Sequence, residues 1–326
     1  MSQAYRMAIA VHGGPDAIVR EPIAVPDPGP GEVLVAHSAI GLNFIDTYHR
    51  SGLYPLPLPS GLGSEAAGRV ERVGPGVAGF AAGDRVAYCG GPVGAYATHR
   101  AVAAERLVKL PPAISDELAT AALLKGLTVE ALVERCARVA PGQVVLVHAA
   151  AGGVGSILVQ WLHAIGARVI AHAGTAEKAE AARALGAESA LSCPFEDLAG
   201  AVRAETGGAG VAAVFDGVGS ASLTASLDSL ARRGILVSYG NASGPPPPVA
   251  PLALSKRGSL FLTRPTLFDY IATRAELDAA ADRLFTLMTA GAVTARIGQR
   301  FPLDRAADAH RALEARATTG STILIP

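Results

Sequence analysis

The residues whose types and spacing point most directly to chemistry lie at 144–172. A run rich in β-branched residues, Val144-Val145-Leu146-Val147-His148, leads into Ala149-Ala150-Ala151-Gly152-Gly153-Val154-Gly155. Apolar side chains then recur at helical spacing: Val154, Ile157, Leu158, Trp161, Leu162 and Ile165. A second β-branched run follows, Arg168-Val169-Ile170-Ala171-His172. Strand, glycine turn, helix and strand in that order form the unit that holds a dinucleotide. Gly152 and Gly153 let the backbone pass close to a pyrophosphate, and Gly155 lets the helix pack tightly on the strand. The helix N-terminus offers unpaired N–H groups and the positive end of its dipole to phosphates. The pattern reads Ala150-x-Gly152-x-x-Gly155, with alanine at the first glycine of the usual fingerprint. The competing reading is a tight turn in an α/β domain that binds nothing.

The elements that must position this turn follow from periodicity. From 143 onward the pattern alternates, with strands expected at 144–148, 168–172, 189–192, 211–216, 235–240 and 259–263. Helices are expected at 153–165, 176–185, 196–205 and 220–231. Six strands with intervening helices fit a doubly wound parallel sheet, the Rossmann arrangement. Residues 1–110 read as β, with short runs at 7–11, 32–40, 68–73 and 85–88. Turn signals such as His12-Gly13-Gly14-Pro15 and Gly74-Pro75-Gly76 separate them, as in a barrel or sandwich. Two helices are expected at 115–124 and 126–137, the first capped by Ser115. The proline run 245–248 reads as a surface loop. Past 274 the pattern is an amphipathic helix to 290, a β-like stretch at 296–301, a helix near 303–315 and a short strand at 321–325. That tail is not another strand–helix–strand unit, so it is expected to complete the N-terminal domain.

Composition bounds the function. The 326 residues carry equal numbers of acidic and basic side chains, and half of them are hydrophobic. Zero net charge and the lack of a basic, aromatic-rich stretch speak against a nucleic-acid footprint. Cys89, Cys136 and Cys193 are scattered without CxxC spacing, which indicates neither a disulfide framework nor a thiolate zinc site. The eight histidines form no HxxxH cluster, and His148 and His172 at strand ends read as structural. No apolar run has transmembrane length and the first residues lack a signal-peptide core, so a cytoplasmic protein is expected.

Longer motifs carry a resemblance. They include Gly41-Leu42-Asn43-Phe44-Ile45-Asp46-Thr47-Tyr48, Ser51-Gly52-Leu53-Tyr54-Pro55 and Gly61-Leu62-Gly63-Ser64-Glu65-Ala66-Ala67-Gly68. Further ones are Ala82-Gly83-Asp84-Arg85-Val86, Leu124-Lys125-Gly126-Leu127-Thr128, Ser238-Tyr239-Gly240-Asn241 and Arg316-Ala317-Thr318-Thr319-Gly320. Across essentially its whole length the chain resembles the zinc-independent quinone oxidoreductases of the medium-chain dehydrogenase/reductase superfamily. The resemblance implies a GroES-like barrel domain, 1–125 completed by 267–326, and a Rossmann domain at 126–266. It also implies an active site in the cleft between the two domains, NADPH as cofactor, a small-molecule quinone as substrate and a homodimer.

The same resemblance distributes roles. The positions matching the zinc ligands of alcohol dehydrogenases are Asn43 and Ser64, whose amide and hydroxyl are poor ligands beside thiolate and imidazole; no metal is expected. Asn43, Asp46 and Tyr48 share one loop expected to face the nicotinamide. There Tyr48 is the candidate proton donor, while Asn43 and Asp46 are the candidates to orient it or hold the ribose. Equally, that loop could only pack and bind cofactor. Tyr54 is expected to line the substrate cleft. Cofactor contacts are expected from Phe44, Thr128, Gly152, Gly153, Val154, Gly174, Thr175, Lys178, Tyr239, Gly240, Asn241, Arg264, Thr266 and Arg316. The second strand ends in Ala171-His172-Ala173-Gly174-Thr175 with no acid to bind a ribose 2′-hydroxyl, which permits a 2′-phosphate. Lys178 and Arg316 are its expected partners. Cys193, Glu130 and Gly217 stand where close relatives carry tyrosine, tyrosine and serine, so a looser cofactor site is expected, and the hydroxyl missing at Cys193 is expected to relax discrimination between NADPH and NADH. The rival readings are reduction of an enone or alkenal double bond and a non-enzymatic NADPH- or RNA-binding role.

Overall fold

The computed structural model describes residues 3–315 and 318–326. The chain opens with β1 (Tyr5–Ile9), β2 (Val19–Pro22) and the long β3 (Glu32–Leu42). The helix α1 (Phe44–Ser51) and the strands β4 (Ser60–Gly61), β5 (Glu65–Val73), β6 (Arg85–Cys89), β7 (His99–Ala103) and β8 (Leu107–Lys109) follow. Next comes α2 (Asp116–Glu130), whose first turn is capped by the Ser115 hydroxyl accepting from the Leu118 N–H at 3.2 Å. The two helices expected here are one. The chain stays helical through Gly126 and widens into a π turn at Ala131–Cys136. A single glycine inside an otherwise helical stretch weakens a helix by only about 1 kcal/mol, which burial of its neighbours overrides.

The alternating region then runs β9 (Val144–His148), α3 (Gly153–Ala164), β10 (Arg168–His172), α4 (Ala176–Arg183), β11 (Ser189–Leu191) and α5 (Phe195–Glu205). It continues with β12 (Val211–Asp216), α6 (Leu223–Ser229), β13 (Leu230–Ser238), α7 (Pro251–Lys256), β14 (Phe261–Thr263) and α8 (Leu267–Tyr270). The tail holds α9 (Arg274–Thr289), β15 (Ile297–Pro302), α10 (Ala306–Glu314) and β16 (Ser321–Ile325). Residues 245–250 carry no regular structure, in keeping with the proline run.

Two compact units divide the chain. The first comprises Met1–Lys125, Thr273–Phe285 and Ala295–Pro326; the second comprises Gly126–Ala272 and Thr286–Thr294. The division at 125/126 therefore falls inside α2. The return differs from the expected boundary at 266/267, because α8 stays with the second unit and 286–294 rejoins it. Gln160 on α3 explains the latter, bonding both the N–H and the carbonyl of Thr294 through its amide at 3.0 and 2.9 Å.

In the first unit β3 is the spine. Its sheet runs β15-β16-β3-β5-β6-β8, with β7 also paired to β3, and a small sheet β2-β1-β4 lies beside it. Ile9, Ile40, Leu42, Leu62, Tyr88, Tyr96, Leu107 and Leu324 fill the core. The tail completes this unit, as β16 pairs antiparallel to β3 at Ile323↔Gly41. The second unit is a six-stranded parallel sheet in the order β11-β10-β9-β12-β13-β14. Leu146, Val214, Leu236, Leu198 and Val202 lie in its core, and Trp161 is fully buried. The order reverses beside β9, so the glycine turn that follows β9 stands where open parallel sheets bind ligands.

Candidate active site

In the second unit the turn is built by its own backbone. Ala149 takes a left-handed φ of 49°, and Gly152 caps α3 with an extended ψ of 177°. A Cβ on Gly155 would stand 2.2 Å from the Ala149 carbonyl oxygen and 2.9 Å from the Ala150 Cα. Gly155 is thus demanded by the turn itself, rather than by packing of helix on strand. The Ala150 N–H donates to the His172 carbonyl at 3.1 Å, which ties the turn to the end of β10.

After β10, Gly174 and Thr175 are exposed and Lys178 is half-buried. The Thr175 hydroxyl is committed to capping α4, accepting from the Lys178 N–H at 3.2 Å. The Lys178 side chain therefore leaves the first turn of a helix, where the backbone already favours an anion. At the other half of the sheet the structure brings Tyr239, Gly240, Asn241 and Arg264 together. Arg264 donates to the Gly240 carbonyl at 3.0 Å, and the Asn241 amide, in the orientation that satisfies both neighbours, accepts from Arg264 at 3.2 Å. Thr266 is exposed at the N-cap of α8.

The three departures have structural accounts. The Tyr239 ring lies where a Cβ on Gly217 would be, within 2.9 Å. Glu130 is buried but paired, taking two bonds from Arg135 at 3.0 and 2.7 Å. Cys193 turns its carbonyl to the His172 ring, and burial pushes its thiol up, away from reactivity. Thr128 lies within α2, away from that helix's first turn. Val154 and Gly153 occupy the first turn of α3. Arg316 lies outside the described residues.

In the first unit the expected loop of Asn43, Asp46 and Tyr48 is instead the start of α1. Asn43 is its N-cap and Asp46 its N3 residue, the two side chains closing a capping box with the Asn43 N–H donating to Asp46 at 2.9 Å. The signal was present in the spacing Asn43-x-x-Asp46, but no apolar periodicity follows it to mark a helix.

This placement separates the three candidates. Asp46 is fully buried and accepts from the Ser64 hydroxyl at 2.7 Å and the Tyr96 hydroxyl at 3.1 Å. Burial pushes its carboxyl up to about 6 against these bonds. Behind it a directed chain reaches the surface. Arg50 can only donate, so the His310 Nδ1 accepts from it at 3.0 Å; His310 Nε2–H then faces the Tyr96 oxygen at 3.1 Å. Burial drives His310 down to about 3, and Arg50 ends the chain on Glu314 at 2.6 Å.

Asn43 is also buried, donating to Glu65 at 2.8 Å. Glu65 folds over Gly41, where a Cβ would stand 2.1 Å from its Oε1, to reach both Asn43 and the Lys125 ammonium at 3.2 Å. Glu65, Lys125, Tyr96, Arg50 and His310 hold these side chains in place and were given no role by the sequence. Glu65 and Lys125 lie inside motifs that carry the resemblance, Arg50 is one turn from Asp46 on α1, and Tyr96 and His310 come from distant segments.

Tyr48 is the outward member of the set. Its ring meets Tyr54 edge-on at 5.2 Å and Phe44 at 6.4 Å, and His49 stands 6.1 Å from Tyr54. The Tyr54 N–H donates to the Tyr48 carbonyl at 3.1 Å, which holds the two rings together. The result is an aromatic face of half-exposed rings bearing phenol hydroxyls.

Residues 29–112 match the alcohol dehydrogenase GroES-like domain and residues 153–286 the zinc-binding dehydrogenase family. A quinone oxidoreductase of Pseudomonas aeruginosa is 49% identical over 324 residues, covering 99% of this chain and 100% of that one. A 2-haloacrylate reductase of a Burkholderia species is 45% identical, covering 98% and 99%. The crystal structure of Escherichia coli quinone oxidoreductase complexed with NADPH has a TM-score of 0.97 at 46% identity, covering 99% of this chain and 100% of that chain. The zinc in the family description does not fit the side chains present. Asn43 and Ser64 offer an amide and a hydroxyl already bonded to Glu65 and Asp46, and no group of three His, Cys, Asp or Glu could hold a metal among the described residues. Full-length identity near one half, both domain matches and this donor set together place the chain among the zinc-independent quinone oxidoreductases of the medium-chain dehydrogenase/reductase superfamily.

Proposed function

We propose that this chain is an NADPH:quinone oxidoreductase, reducing a quinone to its hydroquinone with uptake of one proton from solvent. The observation that carries the reading is the tight Ala149–Gly155 turn at the switch point of the parallel sheet, followed by a second strand with no acid at its end and by Lys178. NADPH, when bound, supplies the hydride; the protein binds, orients and excludes water. The Gly153 and Val154 N–H groups at the head of α3 receive the pyrophosphate, which Gly152 lets approach for want of a side chain, its own N–H being held by the Ala149 carbonyl at 2.8 Å. Gly174, Thr175 and Lys178 receive the ribose 2′-phosphate, with Arg316 as a second cation. Tyr239, Gly240, Asn241, Arg264 and Thr266 serve the rest of the dinucleotide, as do Phe44 and Thr128.

Tyr48 and Tyr54 are assigned to the acceptor. A flat quinone ring suits an aromatic face, and a phenol hydroxyl can donate to the developing oxyanion. Asp46 and Asn43 act as positioning residues, because their polar atoms already hold the N-terminus of α1. A second reading, reduction of an activated carbon–carbon double bond, is favoured by the Burkholderia relative named for a 2-haloacrylate.

The test is oxidation of NADPH by 1,4-benzoquinone and 1,2-naphthoquinone, beside NADH and 2-haloacrylate, with and without a chelator. Chelator-resistant NADPH turnover with quinones is expected. Turnover with the haloacrylate alone moves the assignment to the double-bond reductases, and absence of both overturns it.

We further propose a homodimer joined through the β14 edge, supported by Leu252, Phe261 and Leu262, which stand 62%, 59% and 38% exposed. A reducing, cytoplasmic location fits the three free cysteines. No helix among the described residues is long and apolar enough to cross a membrane.

A further inference from the structure

Beneath the glycine turn, the carboxyl ends of β9, β10 and β12 carry a buried polar cluster that the proposed reaction does not use. His148 and Ser226 are fully buried, and Asp216 and His172 are 1% and 5% exposed. His172 Nε2 faces the Cys193 carbonyl at 2.9 Å, and its Nδ1 faces the His148 Nδ1 at 3.3 Å. His148 Nε2 stands 2.9 Å from the Ser226 hydroxyl, which donates to Asp216 at 2.6 Å. Phe195 covers both rings, at 5.7 and 5.0 Å.

The hydrogens do not balance in the ordinary protonation states. These four contacts need one hydrogen each. Two neutral imidazoles supply one apiece and Ser226 supplies one, while the carbonyl and an ionised Asp216 supply none. Ser222 and the Val218 and Gly219 N–H groups already donate to Asp216 and cannot make up the difference.

We propose that His148, His172, Ser226 and Asp216 hold one additional proton in common, and that its loss as pH rises weakens dinucleotide binding. With that proton the cluster is neutral overall, since one positive charge matches the Asp216 carboxylate. Burial lowers both rings below the usual imidazole range, His148 to about 4, against the pull of Asp216 and, on His172, of the Cys193 carbonyl. Sharing across the network lets the proton stay without an isolated buried charge. Cys193 meets the pair through its carbonyl, and burial pushes its thiol up. Helices α5 and α6 present Phe195, Ser222 and Ser226, none of which titrates.

The link to binding is backbone. His148 directly precedes Ala149, and the His172 carbonyl holds the Ala150 N–H. When the proton leaves, either two Nδ1 lone pairs oppose each other or Ser226 must turn from Asp216. Either outcome moves the strand ends that carry the turn and lead to Lys178. The ordered turn is the protonated form, so ligand binding and proton binding favour each other.

The inference rests on the turn being the cofactor site, and the test separates the two. Ser226→Ala removes two of the four contacts, and two neutral imidazoles then satisfy the remaining pair. Histidine ring 15N shifts of the full chain are recorded from pH 5.5 to 9, assigned by single-histidine replacement. Dissociation constants for NADPH and NADH are measured by calorimetry over the same range. NADH lacks the 2′-phosphate, whose own titration near pH 6 would otherwise intrude.

A ring carrying the extra proton is expected in the wild type. Both dissociation constants are expected to rise together above its transition, approaching tenfold per pH unit. Ser226→Ala is expected to show two neutral rings and a flat profile, and Ser226→Thr to restore the wild-type pattern. Two neutral rings in the wild type across the range overturn the proposal, whatever the fate of the variants. So does a pH step that survives in Ser226→Ala, or a shared proton whose loss leaves both constants unchanged. If neither coenzyme binds at any pH, the cofactor reading fails while the ring shifts still decide the proton.

Discussion

Asp46 shows how burial changes what a side chain can be asked to do. The family resemblance suggested a part in the chemistry, yet its oxygens are taken by Asn43, Ser64 and Tyr96. Its folded pKa lies above its ordinary value, so its contribution to stability is full below pH 4 and is lost as pH rises towards 6. A rise from 3.8 to about 6 corresponds to about 3 kcal/mol. Asp46→Asn does not titrate, so the stability of wild type relative to this variant should fall by about that amount between pH 4 and 7. Urea denaturation at each pH measures it, and a constant difference would sink the idea. Lys178 is the opposite case, half-buried and at a helix start. Lys178→Ala should raise KM for NADPH about tenfold, a charge-assisted bond discounted for solvent, and leave KM for NADH nearly unchanged. Steady-state kinetics with both coenzymes decides this. His148 and His172, read as structural in the sequence, lie in the cluster whose hydrogens do not balance.

At the scale of elements, the turn and α2 carry the sharpest expectations. Gly155→Ala forces a Cβ against the Ala149 carbonyl at 2.2 Å, whereas a Cβ at Gly200 on α5 meets nothing within 4 Å. The first should lose NADPH binding and about 2–3 kcal/mol of stability, and the second should keep both, by calorimetry and denaturation. Glu65 is 1% exposed, and its charge is matched by Lys125 on α2. Lys125→Ala leaves that carboxylate buried and unpaired, and should cost about 3–5 kcal/mol. A change below about 1 kcal/mol in urea would show that water replaces the ammonium. The strands and helices around the turn were largely legible because apolar period and glycine punctuation coincide there. Helix α1 was not, since its eight residues include no regular apolar stripe and its inner face is Asp46, Thr47 and Arg50. Its buried positions are polar because they bond to one another and to distant segments.

At the scale of the molecule, the six-stranded sheet ends in a strand whose outward side chains are apolar. Phe261→Glu should shift the particle from twice the chain mass to the chain mass in sedimentation, with the fold intact by circular dichroism. A wild-type monomer would remove the dimer and leave the site assignments standing.

The chain by itself determined the parallel sheet, its order of elements, the glycine turn and the missing acid after the second strand. These are local properties, written in period, turn chemistry and the residue type at one strand end. Tertiary structure alone decided which polar residues are supports. Tyr96 and the His310–Glu314 pair of α10 join Asp46 and Arg50 of α1 from three segments in all, and Asp216, Ser226, His148 and His172 meet from four others. A hydrogen bond between residues far apart in the chain leaves no spacing to read. Its partners are selected only when folding removes water from both and each must find the other.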